Sequence, residues 1–131
     1  RAAHDMMFDA IKKVKPGATT VEVASVWPEP EYWGRKTWEE CSDNALGHGI
    51  GLSIHEPPSI GKGFGAGLEP FRLQPNMVLA IETWAGPIGG DHGVRLEEEI
   101  LVTDTGYELL FKFSPCSLVE CMGGWYDYSP E

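Results

Sequence analysis

An α+β fold, helices first and antiparallel strands after, is predicted by two patterns in this sequence. Residues 1–14 repeat apolar side chains at helical spacing. Residues 77–104 hold two apolar, β-prone runs separated by a Gly-rich turn, the pattern of a hairpin. A chain of 131 residues fits one modest domain, taken here as residues 1–131.

The first helix rests on Ala3, Met6, Met7, Ala10, Ile11 and Val14, with Asp9, Lys12 and Lys13 between them. Pro16-Gly17 stops it. Thr19 or Thr20 can cap a second short helix with Glu22 in its first turn, and Pro28 and Pro30 end that helix early. Residues 27–46 are aromatic, charged and broken by prolines, with a helical turn expected at 36–41. From Gly47 the chain is glycine-rich and then β-prone, and residues 59–76 form a long Gly/Pro loop of the sort that covers a cleft. A buried strand at 77–81 ends at Glu82. A second runs over 94–104, and Thr105-Gly106 turns into a last one at 107–113. The tail holds Trp125, Tyr126 and Tyr128, and no element is assigned to it.

Composition excludes some classes of function. A formal net charge of −10 argues against nucleic acid or an anionic membrane surface as partner. No apolar run approaches the roughly 20 residues that span a bilayer. Cys41, Cys116 and Cys121 are an odd set without zinc-knuckle spacing, so reduced thiols in a cytoplasmic protein are expected. The chain starts at Arg1 with a helical pattern already running, which suggests a truncation or a processed piece.

Candidate chemistry lies on the hairpin and before it. Alternation along residues 94–102 puts Val94, Leu96, Ile100 and Val102 on one face. Arg95, Glu97, Glu99 and Leu101 fall on the other, which is either solvated or chemical. Glu82 follows Met-Val-Leu-Ala-Ile directly. A carboxylate at the mouth of a buried strand is paired, hydrogen-bonded or metal-bound, unless the strand has already reached water there. His48 lies between glycines that let the backbone come close to a neighbour. With two glutamates on adjacent strands it suggests a mixed nitrogen/oxygen metal site. His55 is either a surface histidine or one that supports the site. His4 and His92 are read as ordinary. The sequence has no G-x-S-x-G elbow, P-loop or H-E-x-x-H.

Three segments in order, GHGIGLSIHEPP, LQPNMVLAIE and GVRLEEEILVTDTGYELL, resemble the pita-bread metallopeptidases, which include methionine aminopeptidase, Xaa-Pro aminopeptidase and prolidase. Val-Lys-Pro-Gly followed by Thr-Thr-Val-Glu-Val resembles that family too, so the likeness covers about residues 1–113. It implies the C-terminal half of a pita-bread catalytic domain: a curved antiparallel sheet with helices on its outer face. His48 and Glu82 match ligands of one metal, and Glu97 matches the glutamate bridging two. Arg95 matches an arginine that steadies the ligand carboxylates. His55 matches a histidine that contacts substrate near the scissile amide, and Glu82 could also shuttle a proton to the leaving amine. Two divalent ions (manganese, cobalt, iron or zinc) would lower the pKa of a shared water for attack on a short peptide. A homodimeric, metal-dependent Xaa-Pro-type exopeptidase is the implied whole protein.

The sequence departs from that pattern in three ways. The family's two aspartate ligands, upstream of the first helix, have no counterpart, so the piece alone is expected to be inactive and to need the missing half. Thr83-Trp84 follows Glu82 where many members have proline, which favours the Xaa-Pro-like branch. Asn44 stands where some Xaa-Pro peptidases carry a substrate-binding histidine. The resemblance also leaves open non-peptidase chemistry on the same scaffold, a creatinase-like hydrolase or a lyase, and a metal-free binding module.

Overall fold

The structure, a computed structural model, describes residues 1–41, 46–62 and 70–112 in full and the backbone of 117–120 and 124–127. Helix α1 spans Ala2–Ile11. Ala3, Met7 and Ile11 recur four apart, and with Ala10 they form one buried stripe. The helix stops three residues short of the predicted end. Lys13 and Val14 donate to the carbonyls of Ala10 and Ile11 at 2.9 Å, a tighter i→i−3 turn that leads into Pro16.

Helix α2, Thr20–Ala24, carries the predicted cap. The Thr19 hydroxyl accepts from Glu22 N at 3.1 Å, and the Glu22 carboxylate accepts from Thr19 N at 2.6 Å. These bonds hold the Glu22 carboxyl below its ordinary value. The helix ends before the prolines reach it. The Ser25 hydroxyl donates to Glu22 O at 2.7 Å and closes the last turn locally. Thr19→Ala is expected to cost about 1 kcal/mol, read as a lower urea midpoint at unchanged slope.

Residues 27–41 gain their order from tryptophans. A 3-10 turn at Glu39–Cys41 falls within the helical turn predicted at 36–41, and a second at Pro30–Trp33 precedes it. Trp27, 1% exposed, donates its indole N–H to the Thr83 hydroxyl at 3.3 Å. Trp33 donates to the Trp84 carbonyl at 2.9 Å. Both anchors fall on the long central strand, so a segment without periodicity is fixed by two distant hydrogen bonds.

Five strands form one antiparallel sheet: β1 Gly47–Gly49, β2 Glu56–Ser59, β3 Val78–Ala85, β4 Val94–Val102 and β5 Tyr107–Leu109, in the order β2-β1-β3-β4-β5. The predicted hairpin is β3–β4, in register from Val78↔Leu101 to Ala85↔Val94. Strand β3 runs beyond its predicted end at Glu82. Beyond β5, Leu110 N continues the ladder to Glu99 O at 2.9 Å. A separate pair, β6 Ser117–Glu120 with β7 Gly124–Asp127, occupies the tail to which the sequence assigned nothing.

Helix α1 packs on β3 and β4. Met7 and Ile11 join Leu79, Ile81, Ile100 and Val102 in the core, each Ile or Leu contributing roughly 1.5–3 kcal/mol of burial. This is the helix-covered outer face of the expected α+β architecture. It leaves Ala80, Glu82, Trp84, Arg95, Glu97 and Glu99 on the opposite face of the hairpin. Strict alternation also puts Glu98 on the core side, opposite Ile81, where it is 2% exposed. Cys41 is a buried free thiol, and Cys116 and Cys121 lie outside the described residues.

Candidate metal site

Glu82 sits in mid-strand, because β3 continues through Thr83 to Ala85. At 4% exposure it has not reached water. A carboxylate in such a place needs partners on its own face of the sheet, and among the described residues it has two. Arg95, across the hairpin, donates from Nη1 to Glu82 Oε2 at 3.2 Å. His48 Nε2 lies 3.3 Å from Glu82 Oε1.

Strand β1 brings His48 there. It pairs Gly47 with Ile81 and His48 with Ala80, so the imidazole stands one pleat from Glu82 on the same face. The flanking glycines are required by close approach on both sides. A Cβ at Gly47 would lie 2.6 Å from the Ala80 carbonyl oxygen, and one at Gly49 would lie 2.5 Å from that of Pro57. Strand β1 is squeezed between β3 and β2, and a side chain at either position would push His48 off the sheet.

The remaining predicted residues fall on this face in different ways. Glu97 is the direct cross-strand partner of Glu82, and its side chain is exposed. The His55 ring stands 4.1 Å from the His48 ring, centroid to centroid, tilted by 42°. Ligand atoms of His48, His55 and Glu82 all lie within 4.8 Å of one another. The tight trio therefore has His55 in it, whereas Glu97 borders it from the next strand. Asn44 and the glycine loop at 63–69 lie outside the described residues. His92 pairs with Asp91 in the exposed turn, and His4 packs on Phe8 of α1. Neither belongs to the trio.

The donor set fits a divalent cation for a specific reason. His48 Nδ1 lies 3.0 Å from the Gly49 carbonyl oxygen, which can only accept, so Nδ1 carries the proton. In the neutral imidazole Nε2 is then a bare acceptor, and it faces a carboxylate oxygen in a buried place. Two facing acceptors repel unless a positive charge lies between them, either a proton or a metal ion. The bond to the Gly49 carbonyl also fixes the ring's orientation, as is usual for a metal-ligating histidine. Nitrogen and carboxylate donors together suit first-row divalent ions.

One buried acidic group, Glu98, escaped the sequence reading. Its Oε1 has no hydrogen-bond partner among the described residues, and burial pushes its carboxyl above the ordinary range. The signal was present, since position 98 falls in the alternation between Leu96 and Ile100.

Comparison with known proteins gives consistent matches. The signature of metallopeptidase family M24 matches residues 1–104. The chain is 32% identical over 117 residues to a dimethylsulfoniopropionate lyase of Roseovarius nubinhibens, covering 86% of this chain and 25% of that protein. It is 34% identical over 107 residues to an Xaa-Pro dipeptidase of Pyrococcus horikoshii, covering 79% and 27%. Among solved structures, prolidase from Pyrococcus furiosus superposes with a TM-score of 0.65 at 28% identity, covering 86% of this chain and 31% of that one. The chain thus spans about a quarter of the length of these curated relatives.

Proposed function

The chain belongs to metallopeptidase family M24, and from that premise we propose that it supplies part of the metal site of an exopeptidase acting on short peptides at Xaa-Pro bonds. The observation that carries this reading is the buried His48–Glu82 pair, two acceptors 3.3 Å apart with Arg95 behind the carboxylate. His48 and Glu82 would hold one ion, and Glu97 would share it with a second. When bound, such ions supply Lewis acidity and a water deprotonated near neutral pH. Arg95 Nη1 holds Glu82 Oε2 and so aims the other carboxylate oxygen toward His48. His55, on the exposed side of the pair, meets the substrate near the scissile amide. Glu82 Oε1 can take a proton and pass it to the leaving amine. The two further carboxylate ligands would come from a segment outside residues 1–131.

Three assays on the protein carrying this chain test the reading. Stripping divalent ions with a chelator is expected to abolish hydrolysis of Xaa-Pro dipeptides, and manganese or cobalt to restore it. Glu97→Ala is expected to lower the bound-ion count from two to one, counted by elemental analysis. Full activity in that variant would refute its bridging role.

A second reading draws on the 32% identity to the dimethylsulfoniopropionate lyase. Here the same residues would serve a lyase reaction on a small organic molecule. Consumption of dimethylsulfoniopropionate without cleavage of any Xaa-Pro peptide would favour it. This reading puts the chemistry of the site, not its ligands, in question.

A further inference from the structure

We infer that the cleft between the end of α1 and helix α2 binds a small anion carrying a phosphate group. The cleft has a volume of about 520 Å³, with Lys13, Lys15 and Gly17 on one side and Glu22 and Ser25 on the other. Helix α1 covers the core face of β3 and β4, whereas Glu82 and His48 project from the opposite face, so the two sites are separate. The sequence holds ten lysines and arginines against twenty acidic residues. In such a chain most cations should find an acid, yet three of the ten meet at this junction without one. Lys13 and Lys15 line the cleft, and both are exposed. Arg72 stands behind it: its backbone pairs with Thr19, and its Nη1 donates to the Gly17 carbonyl at 3.0 Å. Among the described residues no carboxylate forms an ion pair with any of the three, whereas Lys12, Lys62 and Arg95 each have one.

The acid on the lining, Glu22, is already engaged. Its carboxylate accepts from Thr19 N at 2.6 Å and from Thr19 Oγ1 at 3.0 Å, which ties it to the cap of α2. Those bonds are the main reason its carboxyl lies below the ordinary value, and the charges of Arg72 and Lys15 add to the lowering. Glu22 thus reports a positive field at the cleft, while its own charge subtracts from that field. A phosphate group suits what remains. A carboxylate brings one negative charge, whereas a phosphate monoester carries about 1.5–2 near neutral pH and so answers two or three unpaired cations. Lysine meets phosphate as a point charge on a flexible stem and needs no fixed fork. The volume lies within the ~300–1,000 Å³ usual for small-molecule sites, so a small organic body can accompany the phosphate. The phosphates of nucleic acid are the wrong source, because the formal net charge of −10 repels a long polyanion beyond this small patch.

Calorimetric titration of the protein carrying this chain tests this, with inorganic phosphate and glucose 6-phosphate as probes at low salt. Divalent ions are first removed with a chelator, so that phosphate cannot report on the opposite face. Saturable binding is expected, weakening as ionic strength rises. Tighter binding of the ester would name a phosphorylated small molecule as ligand, and equal binding would name free phosphate. The double variant Lys13→Ala, Lys15→Ala is expected to lose about tenfold or more in affinity, with circular dichroism unchanged. Glu22→Gln keeps the cap, since glutamine also serves in a capping box, and removes the opposing charge. It is expected to bind about twofold tighter, a gain that damage to the fold would not give. Lys36→Ala, which removes an exposed cation that does not line the cleft, should bind as the wild type does. Heats that do not saturate with either probe, wild-type affinity in the double variant, no gain in Glu22→Gln, or an equal loss in Lys36→Ala would each overturn the inference.

Discussion

Glu82→Gln should lower metal affinity about a hundredfold or more while leaving the fold intact. Outer partners of a ligand typically account for a factor of 10–100, and Glu82 is the ligand itself. The amide keeps the volume and one acceptor oxygen but loses the negative charge. It also brings an NH2 group toward either Arg95 or His48, which in the wild type meet opposite oxygens of the carboxylate. A cation then meets a neutral donor set with Arg95 close behind it, and that positive charge works against binding. Folding cost should be small, because the Arg95 side chain is 42% exposed and can turn to water. Calorimetric titration with manganese and zinc measures the effect, with circular dichroism as the check on the fold. Arg95→Met is the graded control, expected to lose roughly tenfold because it removes support and leaves the ligand. Wild-type affinity in Glu82→Gln would mean that the buried His48–Glu82 contact is held by a proton alone.

Much of this was legible in the sequence, and the limits have physical causes. Strand alternation put Arg95 and Glu97 on the side away from the core, as found. The glycines around His48 announced a close approach, and the structure shows what is approached: the Ala80 and Pro57 carbonyls. Capping at Thr19 was legible because both halves of the box lie within three residues. The true length of β3 was not. Glu82 looked like a strand's exit because it is charged, yet partners on two other strands keep it buried in mid-strand. The position of His55 was not legible either. It depends on a turn closed by the Glu56 carboxylate, which accepts from Ser53 N three residues before it, a device without periodicity. Residues 27–41 hid their order for a related reason, since Trp27 and Trp33 bond to residues more than fifty positions away.

Glu98 should make the folded chain less stable as pH rises from mild acid to neutral, and Glu98→Gln should remove that slope. The side chain is 2% exposed on the core face, opposite Ile81, and its Oε1 lacks a partner among the described residues. Burial is the leading cause that raises its carboxyl above 4.5, and the nearby Glu99 charge adds to the rise. A hydrogen bond from the Phe111 backbone opposes them but does not cancel them. The sign follows from proton counting. Between 4.5 and the higher folded value, the folded chain holds a proton that the unfolded chain has released. Stability is therefore fully present below 4.5, falls as pH rises through the folded value, and then levels off. Glutamine keeps an acceptor for Phe111 N and cannot ionise, so the gap between variant and wild type should open with pH. Above the folded value it should reach about 1–3 kcal/mol in favour of the variant, the cost of a buried charged group left without a partner. Urea melts at several pH values from 4 to 8 (roughly the span of the linkage) give both curves. Parallel curves would mean that water or a rearranged side chain reaches Glu98 in solution. Position 98 adjoins the proposed bridging residue Glu97, yet the pleat sends the two carboxylates to opposite faces of β4, so one strand presents acid both to the core and to the metal site.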